Sequence, residues 1–156
     1  MITPRTENRA LRRMETITLT VTHRYRASAE RVYDAWLDLE TVKQFMFSTE
    51  TGEIVRAELD PTIGGKFILT DRRDGEDVEH TGEYLELDRP KRIVFVFGIP
   101  AFSEHFDKVE LDIKPREECC DLTLTHTMLK EFEEYKDRSI QGWTKMLASL
   151  GSVLRE

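Results

Sequence analysis

The stretch Lys130–Leu154, KEFEEYKDRSIQGWTKMLASLGSVL, decides the fold. On a helical wheel at roughly 100° per residue, Phe132, Tyr135, Ser139, Ile140, Trp143, Met146, Leu147, Leu150, Val153 and Leu154 fall on one side. Glu133, Glu134, Asp137, Arg138, Gln141, Thr144, Lys145, Ser149 and Ser152 fall on the other. The pattern predicts one long amphipathic helix with a single buried face. Core packing alone satisfies that periodicity, but two details ask for more. Ser139 and Gly142 put small residues in or beside the apolar stripe, next to Trp143. A mid-helix Gly costs about 1 kcal/mol relative to Ala, so Gly142 marks close approach of backbone or ligand. Lys136 lies on the inner side near the start.

The chain has 156 residues, 39% hydrophobic and 34% charged, which fits one globular domain with a sizeable core. Its net charge is −7, from 23 basic and 30 acidic residues. That balance argues against a general nucleic-acid binder, which needs a basic footprint, and against an anionic-membrane surface protein. No apolar run is long enough to span a bilayer, and the first residues lack the apolar core of a signal peptide. Cys119 and Cys120 are neighbours, and neighbours on a strand point to opposite faces. The expectation is two reduced thiols and a cytoplasmic protein.

Outward from the helix, Leu122, Leu124, His126 and Met128 alternate with Thr123, Thr125 and Thr127. That alternation predicts a half-buried strand. Val109, Leu111 and Ile113 form another, ending near Pro115. Ile93, Phe95 and Phe97 alternate with Val94 and Val96, a strand apolar on both faces. Glu79 to Leu87 reads as a strand, Asp74–Gly75 as a hairpin turn, and Phe67 and Leu69 as the inner side of a strand preceded by a Gly64–Gly65 turn. Ile54 to Leu59 is a further strand. Near the start, Ile17, Leu19, Val21, His23 and Tyr25 alternate with Thr18, Thr20, Thr22, Arg24 and Arg26. Ser28 is a good N-cap for a short helix through Val32, Ala35, Trp36 and Leu39, with an incomplete capping box because Arg31 sits where Glu would. A second short helix runs through Thr41, Val42, Phe45 and Met46. The helix-turn-helix shape is not read as DNA-binding, given the acidic balance. Met1–Glu15, with Arg5, Arg9, Arg12 and Arg13, reads as a tail, and Met14 as an alternative start. A run of strands before a helix means α+β with an antiparallel sheet, one domain over residues 16–156.

At this point the chain resembles a known family. The residues that carry the likeness are Asp60 with Gly64-Gly65-Lys66-Phe67, Gly82-Glu83-Tyr84-Leu85-Glu86-Leu87 with Pro90-Lys91-Arg92-Ile93-Val94-Phe95, Leu122-Thr123-Leu124-Thr125-His126, and Gly142-Trp143. Their order resembles the START-like (SRPBCC) superfamily, in its bacterial branch related to the activator of Hsp90 ATPase (AHSA1-like). The resemblance implies a helix-grip fold: a curved antiparallel sheet wrapped around the long C-terminal helix, with a cavity between. It leaves function open, because this fold hosts lipid carriers, hormone receptors, cyclases and co-chaperones.

No metal motif appears, since His23, His80, His105 and His126 lack a short ligand spacing. In the resembled fold the first and last strands pair, which sets His23 and His126 toward opposite ends. There is no G-x-S-x-G, Walker loop or dinucleotide fingerprint, and Gly64–Gly65 reads as a turn rather than a phosphate cradle. No cofactor is expected. The expected cavity lining is Phe67, Leu69, Phe95, Phe97, Ser139, Trp143 and Met146, with Tyr84, His126 and Lys136 as polar groups. Such a pocket suits a hydrophobic or aromatic small molecule. A binding protein is therefore expected, with homodimer formation left open. The alternatives are a cyclase or aromatase working through Tyr84, His126 and Glu104, with Glu104 and His105 as a polar pair at a strand mouth, and a co-chaperone of the Hsp90-activator type.

Overall fold

A computed structural model describes residues 15–47 and 52–155; the N-terminal segment of residues 1–14, Met14 included, lies outside the described residues. The elements are β1 (Thr16–Tyr25), α1 (Ala29–Ala35), α2 (Leu39–Phe45), β2 (Glu53–Leu59), β3 (Lys66–Arg73), β4 (Glu76–Asp88), β5 (Arg92–Gly98), β6 (Asp107–Arg116), β7 (Cys119–Leu129), a 3₁₀ segment (Lys130–Tyr135) and α3 (Lys136–Leu154). The strands form one antiparallel, curved sheet in the order β1-β7-β6-β5-β4-β3-β2. The first and last strands are therefore neighbours, with Leu19 opposite His126 and His23 opposite Leu122. Bulges between Ile54 and Arg56 and between Tyr84 and Glu86 bend the sheet. This is the α+β antiparallel architecture that the order of elements predicts, in the helix-grip form that the resemblance implies.

Local chemistry explains the joints. Ser28 Oγ accepts from Arg31 N at 3.1 Å, and Asp38 Oδ2 accepts from Thr41 N at 3.1 Å, so both short helices have side-chain N-caps. Asp74 (φ 50°) and Gly75 (φ 82°) make the two-residue turn between β3 and β4, with left-handed backbone at both positions. The Gly64–Gly65 pair is a turn whose N–H groups are already used: Gly64 N donates to Tyr84 O (2.8 Å) and Gly65 N to Thr62 O (2.8 Å). Neither cysteine is in a disulfide; Cys120 is buried and Cys119 half-buried.

The C-terminal segment differs from the single helix expected over 130–154. Lys130–Tyr135 is 3₁₀, Phe132 departs from helical geometry (φ −102°, ψ 16°), and the α-helix begins only at Lys136. Leu129 at the N-cap offers no capping side chain. Phe132 and Tyr135 instead pack on Phe102 of the β5–β6 loop, at 5.7 and 5.9 Å between ring centroids. Over so short a span the periods of a 3₁₀ turn and an α-turn place the same residues inward, so the wheel did not separate them.

From Trp143 onward α3 buries Trp143, Leu147, Leu150, Gly151 and Leu154 against the sheet. Burying each large apolar side chain is worth about 1.5–3 kcal/mol. Tyr25 Oη donates to Leu147 O at 2.8 Å and ties β1 to the middle of the helix. On the outer face Arg92 bridges Glu86, Glu110 and Asp112 on β4 and β6. The sheet interior closes on Gly82. It faces Phe67 of β3 and Phe97 of β5, and a Cβ there would lie 2.2 Å from Phe67 Cζ and 2.3 Å from the Val96 carbonyl oxygen. Gly82→Ala is expected to destabilise the fold by about 3 kcal/mol through overpacking. Urea unfolding should show a lowered midpoint with the slope unchanged.

Candidate functional site

The inner faces of β3, β4, β5 and β7 meet a space on the side where α2 packs on α3. Arg73 of β3, His80 of β4, Phe97 of β5 and His126 of β7 line a half-open cavity of about 880 Å³. Phe45 of α2 and Phe47 just after that helix close it on one side, and Ser139, Gly142, Trp143 and Met146 of α3 on the other. A second cavity of about 280 Å³ adjoins it under the β5–β6 loop, with Phe102, Met128, Phe132 and Tyr135 in its wall. Phe97, His126, Arg138 and Ser139 line both and so form the partition.

Phe47 is the centre of the larger cavity's wall. Its ring stacks on His80 (4.2 Å, 5° between planes) and lies 5.0 Å from Phe97 and 5.8 Å from Trp143. Its backbone is left-handed (φ 55°), which costs a bulky residue about 1–2 kcal/mol. Two contacts hold it there: Phe47 N donates to Met146 Sδ at 3.1 Å, and Arg73 donates to Phe47 O at 3.3 Å. Arg73 is itself paired with the fully buried Asp71 at 2.6 Å.

The partition is built on a three-membered chain. Trp143 Nε1–H donates to His126 Nδ1 at 2.9 Å, so the His126 proton sits on Nε2 and is donated to Asp107 Oδ2 at 2.8 Å. Both ring nitrogens of this buried histidine are engaged, which leaves no free lone pair for proton abstraction. His80 is also buried, with Nδ1 3.3 Å from Leu69 O, a bond in which the nitrogen donates. Burial, aided by the nearby Arg73 cation, pushes the His80 imidazole down to about 4, so it is neutral in the folded protein.

The expected lining residues separate into two groups. Phe97, His126, Ser139, Trp143 and Met146 come together around the larger cavity. Phe67, Leu69, Tyr84 and Phe95 lie on the same inner face but inside the packed core, with Phe67 5.5 Å from the Tyr84 ring and 5.6 Å from the Phe95 ring. Those interlocked rings fill their end of the sheet and line neither cavity. Lys136 is half-buried and also lines neither; Arg138 takes the position at the partition. Gly142 does not mark a close approach of neighbouring backbone or side chains, because a Cβ added there meets nothing within 4 Å. Glu104 is exposed, while His105 lines the smaller cavity, so the two do not work as a pair at one mouth. Burial also raises the Tyr84 phenol above its ordinary range. Among the described residues no group of three metal-ligating side chains occurs. No helix there is long and apolar enough to cross a membrane.

Sequence reasoning missed Phe47, Arg73, His80 and Asp107. Three of them were within reach of simple alternation: Phe67-Leu69-Asp71-Arg73, His80-Gly82-Tyr84 and Asp107-Val109-Leu111 each keep one face. Phe47 depends on a left-handed residue after a short helix, for which a Phe gives no signal.

A curved sheet gripping a C-terminal helix, with a half-open space at one end, defines the class of helix-grip proteins. The family model of Activator of Hsp90 ATPase homolog 1-like protein matches residues 26–155, and the chain belongs to that family. Solved structures share the fold at low identity. A Chromobacterium violaceum protein superposes with a TM-score of 0.79 at 21% identity, over 89% of this chain and 97% of its own. A Staphylococcus aureus protein of unknown function gives 0.75 at 22%, over 91% and 98%. An AHSA1-like protein from Aeromonas hydrophila gives 0.75 at 14%, over 89% and 92%. No curated protein matches the sequence. Family and fold together support a domain of the ligand-binding or co-chaperone type.

The His80 environment has a consequence for pH. Unfolded, His80 titrates near 6.5; folded, near 4. Between these values the unfolded chain binds the extra proton, so stability rises with pH. The contribution is complete above pH 6.5 and is lost as pH falls toward 4, by about 3 kcal/mol in all. Subtracting the stability–pH curve of His80→Gln from that of the wild type should isolate a slope confined to this window.

Proposed function

We propose that the chain is a binding protein for a hydrophobic or aromatic small molecule, held in the larger cavity between α2, α3 and the sheet. One observation carries this reading. Four rings, Phe47, His80, Phe97 and Trp143, bound a space of about 880 Å³ into which α3 presents the small residues Ser139 and Gly142. A glycine that weakens its helix yet touches no neighbour leaves room for an occupant. Flat rings around a partly apolar space suit an aromatic body. The cyclase or aromatase alternative draws no support from its candidates: Tyr84 is in the core, Glu104 is on the surface and His126 has both nitrogens engaged. That Cys119 and Cys120 form no disulfide favours a reducing, cytoplasmic setting.

Native mass spectrometry of the purified protein, followed by thermal shift across a lipid and aromatic library, tests the proposal. A co-purifying small molecule or a saturable rise in Tm is expected, since a ligand that binds only the folded state stabilises it. Ser139→Leu should abolish the shift with little loss of stability, because the added side chain enters open space. If no compound binds, and Ser139→Leu lowers Tm strongly, the space is filled in solution and the proposal fails.

A further inference from the structure

The charges around the larger cavity run against those of the chain. The protein carries 30 acidic and 23 basic residues, yet among the described residues the lining includes Arg73, Arg138 and Lys145 and no Asp or Glu. Arg73 is answered by Asp71 at 2.6 Å. Arg138 and Lys145 make no ion pair among the described residues; Arg138 lies over the Tyr135 ring at 5.8 Å. The two cations flank Gly142 at i−4 and i+3, the positions that share its side of a helix. Because nothing lies within 4 Å of a Cβ at Gly142, a gap remains between the two side chains at the cavity rim. Ser139 sits beside the gap and lines the same cavity.

We infer that the occupant is an organic anion whose aromatic body lies among Phe47, Phe97 and Trp143 and whose carboxylate enters the gap at Gly142 between Arg138 and Lys145. This rests on the binding reading above and narrows it to a ligand class. The carboxylate accepts from the guanidinium and ammonium groups, with the Ser139 hydroxyl as a further donor. The site is open to water on one side, so the charge contributes selectivity and salt dependence more than the bulk of the affinity.

Isothermal titration with naphthoate and with naphthalenemethanol, the same ring system without the charge, tests this. Each is measured on the wild type, on the double variant Arg138→Gln, Lys145→Gln, and on Ser139→Leu, with thermal melting to check that each variant folds. Naphthoate is expected to bind the wild type about tenfold more tightly than naphthalenemethanol at low salt. That preference should vanish in the double variant and shrink with added salt, while naphthalenemethanol binding stays unchanged, and Ser139→Leu should weaken both. Equal affinity of the two compounds for the wild type, or a preference that survives in the double variant, would overturn the anion assignment and leave the binding reading standing. No binding of either, or binding undiminished in Ser139→Leu, would overturn the binding reading and this inference with it.

Discussion

The hydrogen bond from the Trp143 indole to His126 Nδ1 is the contact on which the functional end of this molecule depends. It fixes the C-terminal helix against the last strand at one rotation and one height. It also sets the His126 tautomer, and through Nε2 it engages Asp107 at the start of β6. Two helix-to-sheet ties then act in series, Trp143 to β7 and Leu147 O to Tyr25 of β1, one helical turn apart. A buried donor or acceptor left alone costs about 1–3 kcal/mol, so the pairing strongly disfavours rotation of the helix. The cavity wall is thereby held by polar contacts as well as by packing.

The same chain separates two spaces with different chemistry. The larger is ringed by aromatic side chains and rimmed by cations, while the smaller is closed by Phe102, Met128, Phe132 and Tyr135. The 3₁₀ segment matters here. By packing on the β5–β6 loop, Phe132 and Tyr135 draw the chain away from a straight helical path, and α3 starts at Lys136 with Arg138 at the shared wall. A helix continued back to Lys130 would carry these rings in a different direction.

Much of the fold was legible because the residue period reports the element. The alternation of Leu122, Leu124, His126 and Met128, and of Ile93, Phe95 and Phe97, named inner faces that the structure keeps. Element ends were less legible: β4 starts at Glu76 rather than Glu79, since the Asp74–Gly75 turn lets pairing begin at once. The site was half legible. Alternation tells which face a residue occupies and not which end of that face is filled. Filling is a sum over ring sizes on three neighbouring strands, and Phe67, Tyr84 and Phe95 together occupy the space that each alone leaves open. Gly142 stands out in the sequence as unusual, but whether it meets backbone or open space requires the neighbours to be known.

The chain has two tryptophans, and they report on different places. Trp143 faces the cavity, whereas Trp36 is buried in the core against Phe45 at 5.0 Å. The indole N–H resonances of the two residues, followed by NMR during titration with naphthalenemethanol, therefore test the central claim directly. The account predicts a saturable shift of the Trp143 indole, with the Trp36 indole in place. A Trp143 resonance that stays fixed at saturating probe, or shifts of equal size at both residues, would contradict it.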